Sequence, residues 1–210
     1  MKLRIGSTAS IAVAALGFGA ASASAGPLVA SAPSCDAQAL STPFTPWADP
    51  FSYTPLPAGN FESAASGWAL SGGASVAAGN ESFQVGGASD GSSLSVPGGG
   101  SATSPTICVG IEHPTIRFFA KRNSGGTLGL STLRVDVLVE NALGVVNSLP
   151  VPGVILQSSS WQPTLLPMPV VANLLALLPG QHTPVAFRFT PLLGGDWSID
   201  DVYVDPYGRR

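Results

Sequence analysis

Four of the twelve acidic residues of this 210-residue chain fall within ten positions, at Asp196, Asp200, Asp201 and Asp205. They interrupt an apolar stretch that carries Trp197, Ile199, Val202, Tyr203 and Val204. Such a stretch predicts a strand. Alternation would put Asp200 on the face it shares with Val202 and Val204, toward the core, and Tyr203 on the opposite, exposable face. A buried carboxylate is costly unless a cation, a guanidinium or several backbone N–H groups compensate it. Arg188 on the preceding strand is one candidate partner and turn amides are a second. Ca²⁺ is a third, because oxygen donors are plentiful and no cluster of His or Cys is apparent.

The other reactive residues offer less. Gly87-Ala88-Ser89-Asp90-Gly91 matches G-x-S-x-G, but a nucleophile elbow needs a buried strand before it and a helix after it. Ser82-Phe83-Gln84-Val85 is a short alternating run and Ser92-Ser93-Leu94 has no helical period, so a Gly-rich turn is expected. His113 precedes Pro114 and His182 lies two residues before Pro184, which predicts two exposed loop histidines. Glu62, Glu81, Glu112 and the aspartates contain possible pairs for glycoside hydrolysis, yet nothing in the sequence sets the required separation of about 5–9 Å. Asn80-Glu81-Ser82 is a glycosylation sequon. Arg117, Lys121 and Arg122 form a basic cluster, expected to be a solvated strand edge, with a contact to an anionic wall polymer as the alternative.

The elements that must position these groups follow from composition. Charged residues make up 10% of the chain against the usual share of about 25%. Apolar residues reach 45%, and 25 Gly and 19 Pro punctuate them. This is too apolar for disorder and too broken for a helical bundle, so a mostly β domain is expected. A net charge of −3 argues against a nucleic-acid binder.

Lys2 and Arg4, the apolar run Ile11 to Ala21 and the small residues Ala23-Ser24-Ala25 predict a secretory signal peptide over residues 1–25. The apolar run falls short of the ~20 residues a membrane span needs. Export makes an unpaired thiol a liability, so a Cys35–Cys108 disulfide is expected, free or metal-bound cysteines being the alternative. Residues 26–57, with Pro43, Pro46, Pro50, Pro55 and Pro57, predict an extended arm. Its Phe44, Trp47, Phe51 and Tyr53 are expected to anchor it on the body, with a ligand platform as the second possibility.

From residue 58 to 210, short apolar runs alternate with Gly, Ser, Asn and Pro. In Leu133 to Glu140, Leu133, Val135, Val137 and Val139 share one face while Arg134, Asp136 and Glu140 share the other. Ala172 to Leu178 is either a helical turn or a buried strand, and residues 185–190 and 196–204 are expected to form a closing hairpin. The fold class is all-β, an antiparallel β-sandwich.

Gly59-Asn60-Phe61-Glu62, followed by Gly67-Trp68, resembles the opening of jelly-roll carbohydrate-binding modules of the galactose-binding-like class. Trp197 to Val204, with its I-D-D-V core, resembles their closing strand. The resemblance implies a jelly roll whose first and last strands are neighbours. It also implies a structural Ca²⁺ held by Glu62 and Asp200, with Asp201 as a further ligand and backbone carbonyls completing the shell. The mature chain, including Phe118-Phe119 and Asp205-Pro206-Tyr207, is also similar to uncharacterised secreted actinobacterial proteins. No sugar-contacting residue carries over, since aromatic platforms move between families; Trp68, Trp161 and Trp197 are expected in the core. The expected function is a secreted, non-catalytic module that binds carbohydrate or a cell-envelope glycan. A structural or adhesive surface protein comes second and a secreted hydrolase third.

Overall fold

The computed structural model describes residues 26–32, 38–113, 115–152, 159–164, 168–175 and 181–205. Residues 1–25, which carry the signal-peptide reading, and Cys35 lie outside them. Two antiparallel sheets pack face to face as a β-sandwich of jelly-roll type. The seven-stranded sheet comprises β1 (Thr54–Pro55), β3 (Ser75–Ala78), β4 (Ser92–Val96), β7 (Thr115–Arg122), β10 (Gln162–Pro163), β11 (Met168–Pro169) and β13 (Trp197–Asp205). The six-stranded sheet comprises β2 (Ala69–Ser71), β5 (Ser101–Thr103), β6 (Ile107–Val109), β8 (Thr132–Glu140), β9 (Val146–Pro150) and β12 (Thr183–Leu192). The four-residue α1 (Pro27–Ala30) and three short 3₁₀ turns complete the described elements.

The alternation foreseen for Leu133 to Glu140 holds along β8. Leu133, Val135, Val137 and Val139 enter the core between the sheets, where they meet Phe187, Phe189, Trp197 and Ile199. On the opposite face, Asp136 takes Arg134 and Arg188 as ion-pair partners. Arg188 is thereby committed to the six-stranded sheet, and it does not pair with Asp200. Trp68 and Trp197 also lie in this core. Residues 87–91 form a turn, closed by the Asp90 N–H donating to the Gly87 carbonyl. Val171–Leu175 is a 3₁₀ turn.

The closing segment differs from the expected hairpin. β12 pairs with β5, β6 and β8, whereas β13 pairs with β4, β7 and β1. Residues 193–196 therefore cross from one sheet to the other. Both strands are apolar on their inner faces because both face the same core from opposite sides. A hairpin and a sheet-to-sheet crossing leave the same local sequence pattern.

Candidate functional site

β13 departs from simple alternation at its centre. Trp197 and Ile199 point into the core, and so do Val202 and Val204, a spacing of three between Ile199 and Val202 that breaks the period of two. The register against β7 shifts between Asp200 and Tyr203, and Asp201 adopts a left-handed φ of 46°. This β-bulge places Asp200 opposite Phe119, on the outer face of the sheet, away from Val202 and Val204. Asp200 is nevertheless 0% exposed. Its burial comes from a loop over residues 79–91, whose ends meet through the Gly79 N–H and the Gly91 carbonyl at 2.7 Å.

That loop brings in residues to which the sequence assigned no shared role. The Glu81 N–H donates to Asp200 Oδ2 at 3.0 Å, and the Gly86 N–H donates to Asp201 Oδ2 at 3.2 Å. The buried Glu81 carboxylate accepts from the N–H groups of Phe83 and Val85. Both side-chain polar atoms of Asn80 and Oδ2 of Asp90 are buried without a partner. A Cβ at Gly86 would stand 2.3 Å from Asp90 Oδ2 and 2.8 Å from Asp201 Oδ1, so glycine is what lets the loop lie over these carboxylates. Glu62 sits at the rim, exposed, and accepts from the N–H groups of Gly91 and Ser92 at 2.9 and 2.7 Å. The structure thus brings Asp200 and Asp201 together with Glu81, and leaves Glu62 holding the base of the loop. The signal for Glu81 was an acid in a Gly-rich loop, which carries no information about where that loop docks.

The electrostatics follow from burial without a counter-charge. Among the described residues, no basic side chain pairs with Glu81, Asp90, Asp200 or Asp201. Burial, followed by the Asp201 charge, pushes Asp200 up to about 8, against the pull of the Glu81 and Asp201 N–H groups. Burial and then the Glu81 charge push Asp201 up to about 7, while the Gly86 N–H works the other way. A cleft of about 400 Å³ lined by Pro57, Asn60, Gly86 and Asp201 opens the cluster to solvent. The donor set is all oxygen, the ligand type that hard cations take.

A second outer-face feature is aromatic. Phe44 and Tyr53 of the arm pack with Phe119, Trp161 and Tyr203 in a cluster separate from the inter-sheet core. Phe44 stacks on Phe119 at 5.5 Å, and the Arg117 guanidinium lies 4.1 Å over the Phe44 ring. Tyr203 is buried beneath this arm, contrary to the exposure expected from simple alternation. Arg117 is likewise buried: it forms an ion pair with Asp49 and donates to the Thr164 carbonyl at 2.8 Å. The solvated-edge reading therefore fails for this member of the basic cluster. Beside these groups runs a cleft of about 440 Å³ lined by Trp47, Asp49, Phe51, Arg117, Gln162 and Thr164. Phe51 is 40% exposed, and Arg117 Nε and Thr164 Oγ1 are buried with no partner.

The histidines are not exposed loop residues. His113 is fully buried and the side chain of His182 is 8% exposed, and both approach Glu112 where the end of β6 meets the start of β12. Neither lines either cleft.

No protein-family model matches the chain, and no curated protein matches its sequence. Solved structures align with it at low identity. The CBM22-1 xylan-binding domain of Xyn10C from Paenibacillus barcinonensis aligns with a TM-score of 0.42 and 13% identity, over 66% of this chain and 85% of that domain. TmCBM61, solved with β-1,4-galactotriose, aligns with a TM-score of 0.40 and 15% identity, over 72% of this chain and 97% of that one. The family 11 carbohydrate-binding module of Lic26A-Cel5E from Clostridium thermocellum gives 0.38 and 16%, over 73% and 94%.

Proposed function

We propose that this protein is a secreted, non-catalytic module that binds carbohydrate, soluble or in a cell envelope, in the cleft between the arm and the outer face of the seven-stranded sheet. The observation that carries this reading is the composition of that cleft. It has the size of a small-ligand site and combines an apolar wall with a few fixed polar groups. Phe51 and the half-buried Trp47 offer ring faces to the apolar side of a sugar, while Gln162 and Asp49 offer hydrogen bonds to its hydroxyls. A hydrolase built on Ser89 is less well supported, because both histidines face Glu112 and neither lines either of the two clefts described above.

A glycan array probed with the purified protein tests the reading. Binding to a neutral polysaccharide is expected, weakened at least tenfold in Phe51→Ala and in Gln162→Ala, with folding preserved because Phe51 and Gln162 are partly solvent-exposed. Silence across the array, or binding indifferent to both substitutions, would overturn it and favour a structural or adhesive protein.

The same reading includes one structural Ca²⁺. Asp200 and Asp201 would hold it, with Glu62 at the rim and Glu81, Asp90 and Asn80 as further oxygen donors. The cation would supply the positive charge these buried carboxylates lack. Chelation is expected to lower the melting temperature of the wild type and to leave that of Asp200→Ala unchanged; a wild-type melting curve indifferent to chelator contradicts the ion.

A Cys35–Cys108 disulfide also belongs to the proposal. Cys108 is buried on β6, and the described residues on both sides of Cys35 reach that strand and the residue before it. Ser31 Oγ lies 2.7 Å from Thr106 Oγ1, and Gln38 Nε2 donates to the Cys108 carbonyl at 3.4 Å.

A further inference from the structure

We propose that Glu112, His113 and His182 form a site for a divalent transition-metal ion of the zinc type, built from none of the residues of the aspartate cluster. β6 and β12 pair with Thr183 opposite Val109, so the turn after β6 lies beside the residues that lead into β12. The His113 N–H closes that turn on the Gly110 carbonyl at 2.8 Å, which returns Glu112 and His113 to the side of His182.

The distances fit a small ion. His182 Nε2 and Glu112 Oε1 are 2.7 Å apart, and His113 Nδ1 lies 4.0 Å from the same oxygen. One ligand atom from each residue lies within 4.8 Å of the other two, the one such group among the described residues. Tetrahedral zinc with bonds of about 2.0–2.2 Å keeps its ligands about 3.3–3.6 Å apart. The two separations from the carboxylate bracket that value, and the two imidazole ligand atoms, within 4.8 Å of each other, would close by about an ångström around the ion.

The surroundings orient the ligands. His113 Nε2–H donates to Gln38 Oε1 at 2.8 Å, and Gln38 is itself held by its bond to the Cys108 carbonyl. A ligating imidazole commonly donates its remote N–H to such an acceptor. The Nδ1 lone pair then faces the cluster, where the Gly110 N–H meets it at 3.0 Å; an ion would take the place of that N–H. Binding through His182 Nε2 leaves that ring protonated on Nδ1.

Glu112 adds an independent observation. Its Oε2 is buried without a hydrogen-bond partner, an arrangement that costs free energy unless something satisfies it. A Cβ at Gly110 would stand 2.7 Å from that oxygen, so the carboxylate is packed into place over a residue that has to be glycine. Two imidazoles and one carboxylate select zinc-like ions over Ca²⁺, and three protein ligands leave a position for water.

Co²⁺ and Zn²⁺ titrations of the purified, tag-free protein, stripped with chelator, test the site. One equivalent of Co²⁺ is expected to give strong visible d–d absorption, displaced by Zn²⁺ and retained in Asp200→Asn. Glu112→Gln and His182→Ala should abolish it, and Gln38→Ala should weaken Zn²⁺ binding by about ten- to a hundredfold. Glu112→Gln keeps the side-chain shape, and an unchanged circular dichroism spectrum separates loss of the ligand from loss of the fold. The proposal is overturned if the wild type shows no saturable Co²⁺ absorption or binds Ca²⁺ alone, or if Glu112→Gln and His182→Ala keep the wild-type spectrum.

Discussion

Asp205 shows how little of a residue's chemistry is local. It ends β13 among apolar neighbours, accepts a long hydrogen bond from the Thr115 hydroxyl at 3.5 Å, and has the Asp49 charge nearby. Burial first and Asp49 second push its carboxyl up to about 6, with Thr115 opposing. The folded state therefore holds this proton more tightly than the unfolded chain, whose aspartate titrates near pH 4. Stability from this residue is best below about pH 4 and falls as pH rises through about 6, where the folded carboxyl ionises. Asp205→Asn removes the penalty. It should raise stability by on the order of 1 kcal/mol at pH 8 and by nothing at pH 4, in urea melts at both values. An equal effect at the two pH values would contradict the assignment.

At the scale of elements, two features of β13 escaped the period-two pattern. The bulge at Asp201 shifts the side-chain parity, so Asp200 points outward although it lies two residues from Val202. Two consecutive aspartates with apolar residues on both sides are compatible with either parity. The crossing between β12 and β13 is equally silent, since both strands are apolar on the side facing one shared core. The charged face of β8 was legible as polar, but its partners were not. Glu140 caps α1 by accepting from the N–H groups of Gly26, Leu28 and Val29, and a Cβ on Gly26 would stand 2.5 Å from that carboxylate. The aromatics of the arm were legible as anchors. Phe44 and Tyr53 anchor it, while Trp47 and Phe51 border the cleft.

For the molecule as a whole, the proposed Cys35–Cys108 bridge would close a loop of about 70 residues and contribute about 4 kcal/mol, less any strain. It would tie the start of the arm to β6, which carries the turn holding Glu112 and His113. Thiol titration of the unfolded, unreduced protein should find no free thiol, and reduction should lower the melting temperature; two free thiols would dismiss the bridge. Composition and alternation alone determined that the chain is all-β, that it packs two apolar sheet faces together, and that acids concentrate in its last strand. These follow from local periodicity and from the cost of exposing apolar surface, both written residue by residue. Only the tertiary structure decided which way Asp200 points, that Glu81 joins it, and that two histidines separated by 69 positions share one glutamate. Those outcomes depend on a bulge, a folded-over loop and a strand pairing. Each is set by contacts between residues far apart in the chain, which no local pattern encodes.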